Sequence, residues 1–274
     1  MRRWRRKGGK PMRKLMRVVS VATGIVAVAV VCFSAPAMAA GGGGDIKQHE
    51  WTFDGPFGHF DKASLQRGFQ VYREVCSSCH GIEYISFRNF ADLGYSEAEI
   101  KAIAAEYEVT DGPNDEGEMF QRAAIPADRV PSPFPNENAA RSANGGAYPP
   151  DLSLIVKARP DGANYLYSLL TGYADAPSDM KVPDGMYYNK AYSGNLIAMP
   201  QPLYGDDITL ANGGDTSPEA LAEDLVTFLA WTSEPEMETR KRTGIAVMLF
   251  LFVMCFVSYG SMRYIWADVK KAKA

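Results

Sequence analysis

Residues 76 to 80 read Cys76-Ser77-Ser78-Cys79-His80, and no other stretch so narrows what the chain can fold into. Two thiols three positions apart, followed by an imidazole, is the spacing at which a c-type haem attaches. Two thioethers fix the vinyl edges of the porphyrin, and the next side chain is carried under the ring to ligate iron through a neutral nitrogen. A zinc site needs about four ligands, and the only other cysteines, Cys32 and Cys255, lie inside apolar runs. A thioredoxin-like redox pair belongs in a strand–helix context, which is not visible here.

Both ends of the sequence speak of membranes. Arg2 to Arg17 is strongly basic, Val18 to Phe33 is apolar, and Ala35-Pro36-Ala37-Met38-Ala39-Ala40 offers small residues. That order predicts a secretory signal over residues 1–40, cut after Ala39 or Ala40. Thr243 to Met262 is a run of twenty residues without a charge, long enough as a helix to cross about 30 Å of hydrocarbon. Basic residues flank it on both sides, so the export signal sets the orientation. The expected layout is an exported domain over 41–239, a single-pass anchor over 240–264 and a cytoplasmic tail over 265–274. Tyr259, Tyr264 and Trp266 then fall at the inner interface. In a bacterial cell this places the domain on the periplasmic face of the inner membrane.

The overall charge of −3 hides an asymmetry. Residues 41–239 hold thirteen basic and thirty-one acidic residues, a net of −18. Such a field draws basic partners and repels nucleic acid; read on charge alone, it is equally a solvated acidic surface that confers solubility.

The exported domain reads as mainly α with long irregular loops. A helix is expected from Lys62 to Cys76, because Leu65, Phe69, Tyr72 and Cys76 share one face that runs into the haem motif. Ser96 and Glu99 form a capping box ahead of Ile100, Ile103, Ala104 and Tyr107. A third helix covers Ala163 to Leu170 and ends at Gly172. A fourth starts at Ser217-Pro218, with Leu221, Leu225, Phe228 and Leu229 inward. The proline-rich stretch 126–150 and the stretch 173–216 show no helical period. Loops of that length are unusual unless they pack against a large apolar plate such as a haem.

The iron needs a second axial ligand. His49 and His59 precede the attachment motif and are poor choices. Among the methionines outside the membrane run, Met199 stands in the apolar loop Gly194-Asn195-Leu196-Ile197-Ala198-Met199-Pro200. Met186, in a looser segment, stays open as a second choice. A His/Met pair gives a high-potential haem suited to electron transfer.

These features, with Arg67-Gly68-Phe69-Gln70-Val71-Tyr72, Tyr84-Ile85-Ser86-Phe87-Arg88, Asp111-Gly112-Pro113-Asn114, Tyr148-Pro149-Pro150-Asp151, Ala158-Arg159 and Ser233-Glu234-Pro235-Glu236, resemble the cytochrome c1 family. The resemblance runs from about Trp51 to the C-terminus. It implies that Cys76 and Cys79 carry one covalent haem c, that His80 and Met199 ligate its iron, and that Arg159 and Tyr165 contact a propionate. On the residues alone, Arg159 is an ordinary surface arginine. The resemblance further implies that the loop around Pro149 and Pro150 walls the haem. It implies an electron relay within quinol–cytochrome c oxidoreductase, beside cytochrome b, from a Rieske iron–sulfur protein to a soluble basic cytochrome c. Acidic clusters at Glu106 to Glu118 and Asp206-Asp207 are docking candidates. The extra disulfide of some bacterial members has no cysteines here. Two other readings are a free membrane-anchored cytochrome c serving a terminal oxidase or reductase, and a gas-binding haem module with an open iron site.

Overall fold

The computed structural model describes residues 44–268 apart from Asp206, Asp207 and Asn212. The expected export signal, most of the glycine leader, the Asp206-Asp207 cluster and the lysines of the tail lie outside the described residues.

Helix α1 (Lys62–Val71) starts where Asp61, in extended conformation, accepts from the Ser64 amide at 2.9 Å. That bond satisfies one of the amides a helix start leaves without a partner. The backbone then widens into a π-helical turn, Tyr72–Cys76, in which the Ser77 amide reaches the Tyr72 carbonyl at 2.8 Å. The helix expected as far as Cys76 is therefore present in two windings. The wider turn accommodates an extra residue, a device common where a helix must present functional groups. Leu65, Phe69 and Tyr72 are buried and Cys76 packs against the same core, as the apolar spacing required.

The Ser96 capping box opens α2 (Glu97–Ala105), with the Ser96 amide donating to Glu99 at 2.7 Å. Helix α3 (Glu137–Ala143) lies inside the proline-rich stretch, where periodicity predicts only irregular chain. Its seven residues are too few for a repeat to show, and Asn136 caps it by accepting from the Ala139 amide at 3.0 Å. Helix α4 (Gly162–Leu170) occupies the expected place. Gly172 follows it for a different reason than expected. Its φ is not left-handed; a Cβ there would lie 2.5 Å from the Ser168 carbonyl oxygen, so the glycine permits a close backbone approach.

Helix α5 (Pro218–Ser233) has Ser217 as its cap and proline at its first position, and all four residues expected to face inward are buried. It lies along α1. A Cβ on Gly68 would sit 2.1 Å from the Asp224 carbonyl oxygen, so the two backbones touch there. Beside that contact Arg67 grips Asp224 through Nε–Oδ2 at 2.6 Å and Nη2–Oδ1 at 2.7 Å. The Phe228 ring stands 5.6 Å from Phe69 and 5.7 Å from Tyr72. Each such ring removed from water contributes about 2 kcal/mol, which makes this seam the structural centre of the domain.

The class is mainly α, with two antiparallel ribbons that helical periodicity could not show. Strands β1 (Glu108–Asp111) and β2 (Phe120–Ala123) pair with Glu108 opposite Ala123. Their loop opens on Asp111-Gly112-Pro113-Asn114, and the Asn114 side chain accepts from the Glu116 and Glu118 amides. Strands β3 (Tyr187–Tyr188) and β4 (Leu196–Ile197) pair with Tyr187 opposite Ile197.

Helix α6 (Met237–Ile265) runs for 29 residues, and only Met237 is buried within the protein. Among the described residues no apolar surface covers its charge-free run. Such a helix takes its apolar surroundings from a bilayer.

Candidate functional site

Cys76 closes the π-helical turn, and the amides of Cys79 and His80 both return to its carbonyl, at 3.1 and 2.9 Å. The turn brings Cys76, Cys79 and His80 together at the end of α1, all half-buried. Neither thiol is in a disulfide. Burial pushes the Cys76 thiol up to about 12, so it stays neutral at physiological pH. A sulfur in that apolar setting suits a thioether better than a thiolate.

His80 carries the most telling geometry. Its Nδ1 lies 2.7 Å from the Pro150 carbonyl oxygen. A carbonyl only accepts, so Nδ1 carries the proton and Nε2 keeps a free lone pair. Burial holds the imidazole below its ordinary pKa, against the opposing pull of the Pro150 carbonyl and the Asp151 carboxylate. A neutral ring of settled tautomer is what an iron ligand requires.

The segment that supplies Pro150 is stitched to the chain after His80. The Leu152 amide donates to the Gly81 carbonyl at 2.8 Å, the Glu83 amide to Asp151 at 2.9 Å and the Tyr84 amide to the Ser153 hydroxyl at 3.1 Å. From the other side the buried Tyr72 hydroxyl donates to the His80 carbonyl at 2.9 Å. Helical spacing marks Tyr72 only as an apolar face residue, and periodicity assigns Asp151 no role. The Pro-Pro-Asp run is the one sequence signal that points to the latter.

The other expected residues gather along α4. Arg159, just before the helix, bears on the Tyr165 hydroxyl: burial raises its pKa and the guanidinium opposes that shift. At the far end of α4, Asn189 donates to the Leu169 carbonyl at 2.7 Å and the Lys190 amide to the Gly172 carbonyl at 2.9 Å. These bonds hold the β3–β4 ribbon, and Met199 follows β4 half-buried. The Met199 carbonyl accepts from the Tyr173 hydroxyl at 3.0 Å. Met186 is half-buried too. Among the described residues no hydrogen bond joins the His80 group to the Met199 group. The two are connected through packing of α4 on α5 and α5 on α1.

His49 is engaged elsewhere, 3.5 Å from Glu223 and against the rings of Trp51 and Tyr167. Among the described residues no three His, Cys, Asp or Glu side chains converge as metal ligands. The donor set fits a c-type haem: two partly buried thiols three residues apart and an imidazole presenting a free Nε2.

The Cytochrome C1 family matches residues 51–269. The chain belongs to the cytochrome c1 family. A cytochrome c1 of this kind holds a c-type haem, serves electron transport and carries a C-terminal membrane helix. Cytochrome c1 of Rhodospirillum rubrum is 42% identical over 275 residues, covering 94% of this chain and 100% of that protein. The protein named cytochrome b/c1 in Bradyrhizobium diazoefficiens is 43% identical over 286 residues, covering 96% of this chain. The chain spans only 41% of that protein's own length. The cytochrome b-c1 complex catalytic subunit of Candida albicans mitochondria is 44% identical over 226 residues, covering 82% of this chain and 78% of that one.

Proposed function

We propose that this cytochrome c1 relays single electrons within a quinol–cytochrome c oxidoreductase, from a Rieske iron–sulfur protein to a soluble basic cytochrome c, beside a cytochrome b subunit. In this reading Cys76 and Cys79 form the two thioethers, His80 and Met199 are the axial ligands, and Arg159 with Tyr165 meets a propionate. The bound haem supplies the one-electron couple. The side chains bind it, set its ligation and limit access to it.

The observation that carries the reading is the 2.7 Å bond from His80 Nδ1 to the Pro150 carbonyl, inside a turn that also presents both thiols. It leaves one nitrogen for iron. The names of the Bradyrhizobium and Candida relatives support assembly with cytochrome b. The net charge of −18 over residues 41–239 supports a basic acceptor. The basic leader before an apolar run supports export of that domain to the periplasmic side of a bacterial inner membrane, with α6 as the single span.

Purification in mild detergent followed by redox-difference spectroscopy tests the assignment. The expected result is one c-type haem accompanied by b-type haems and a Rieske centre in the same particle. A chain that purifies with its c-type haem alone is instead the free membrane-anchored carrier. A ferrous haem that takes up carbon monoxide readily has an open site and overturns the His80–Met199 pairing.

A further inference from the structure

The most exposed large apolar side chain between residue 44 and helix α6 is Phe57, at 83%. It sits in a loop, Thr52–His59, to which no sequence motif assigns a role. The loop is closed at its base by the His59 amide donating to the Thr52 carbonyl at 3.0 Å. Gly55 has a left-handed φ of 70°. A Cβ on Gly58 would lie 2.1 Å from the Asp54 carbonyl oxygen. Phe53 and Phe60, which flank the turn, are buried with their rings 5.4 Å apart. The turn is tight and well anchored, and its tip holds an aromatic ring out of the protein.

Its position gives that exposure a meaning. Lys241 Nζ donates to the Phe53 carbonyl at 2.6 Å and to the Gly58 carbonyl at 3.2 Å. One turn earlier on the same helix, Glu238 accepts from the Phe60 amide at 2.8 Å. Lys241 lies two residues before the charge-free run that begins at Thr243, about 3 Å along the helix axis. The headgroup layer on each side of the hydrocarbon is about 5–7 Å deep. The loop is therefore pinned to α6 at the depth where the bilayer's polar region begins. Phe and Leu side chains of interfacial segments bury at the boundary between headgroups and acyl chains, and the pinning to α6 brings Phe57 to that boundary.

We propose that Phe57 dips into the headgroup region of the membrane that α6 crosses, giving the haem domain a second contact with lipid. The occupant is phospholipid at the interface. Two points of attachment, α6 and the loop tip, restrict tilting of the domain about its anchor.

The test uses the full-length holoprotein, alone, in phosphatidylcholine–phosphatidylglycerol vesicles, with nitroxide labels on single cysteines added to a Cys255→Ser background, since Cys255 is itself a free exposed thiol. Phe57→Cys reports the loop. Phe250→Cys reports the anchor itself, and Met119→Cys reports an exposed site on the β1–β2 loop. Collision with an aqueous nickel chelate and with dissolved oxygen is read by electron paramagnetic resonance. The expected result is a several-fold loss of nickel accessibility at 57 relative to 119, with oxygen accessibility between those at 119 and 250. Equal nickel accessibility at 57 and 119 overturns the proposal. Shielding of 57 only when the other subunits of a complex are present also overturns it, because the cover is then protein. A label at 250 that stays open to nickel shows instead that the anchor is not inserted, and the lipid contact falls with it.

Discussion

The His80 side of the site and the Met199 side differ in how they are held. His80 follows directly from α1, whose inner face lies in the aromatic core with Phe228. Its turn is gripped by Tyr72 from one side and by the Pro150–Ser153 segment from the other. Met199 follows a ribbon of two-residue strands, attached to α4 by Asn189 and Lys190 and steadied by one tyrosine hydroxyl. The first side is held by the buried inner face of α1 and by bonds from both flanking segments; the second is placed by a few polar contacts. Attachment and tautomer need a single outcome, and the core provides it. In the proposed ligation by Met199, its lightly held loop is where the potential of the centre can be adjusted without disturbing the fold.

The severest way to break this comparison is Cys76→Ser with Cys79→Ser, which removes the attachment altogether. Mass spectrometry of the mature chain then finds no covalent haem, and a retained haem mass refutes the role of the turn. Next is Met199→Leu, which removes a soft ligand and lowers the midpoint potential by more than about 100 mV, read by potentiometric titration. An unchanged potential takes Met199 out of the site and brings Met186 forward. Arg67→Ala acts on the scaffold alone. It leaves the buried Asp224 carboxylate without its partner, costs about 3 kcal/mol and lowers Tm, with the potential unmoved.

Tyr173→Phe is the complementary change on the lightly held side. Burial raises the Tyr173 pKa well above its ordinary value, so the hydroxyl stays a donor throughout the physiological range. Its loss costs the Met199 loop about 1 kcal/mol, seen as faster carbon monoxide uptake by the ferrous protein while Tm barely changes. Of the same size, but remote from the site, is Asp61→Ala at the start of α1, worth about 1 kcal/mol near neutral pH. The Ser64 amide holds the Asp61 carboxyl below its ordinary value of 3.8. Its contribution is therefore complete above that value and is lost as pH falls through the lowered one. Denaturation of the two proteins is expected to converge in that acid range, and a constant gap there refutes the capping role.

The helices of the domain are largely legible in the order of residues, because their signals are local. Apolar residues recur at helical spacing along α1 and α5, Ser96 and Glu99 cap each other, and proline sits first in α5. Helix α3 and the two ribbons are not legible, since seven residues or paired strands of two to four leave no period to read. At the site, the Cys76–His80 motif marks the thiols and the imidazole by spacing alone. Met199 stands out by its apolar loop and following proline. Arg159 has no local signal beyond resemblance.

The amino-acid order thus determined by itself that there is a turn made for a c-type haem, a span able to cross a bilayer, and a strongly acidic stretch ahead of that span. Each is written in neighbouring residues, and short-range chemistry suffices to read it. Only the tertiary structure decided that the Pro150 carbonyl, seventy residues on, accepts a hydrogen bond from His80 Nδ1–H and leaves the other nitrogen with its lone pair free. It alone brought Arg67 to Asp224 and tied the Phe57 loop to Lys241. Those contacts join residues far apart in the chain, and they form where the packing of α1 on α5 and of the loop on α6 brings the partners within hydrogen-bonding reach.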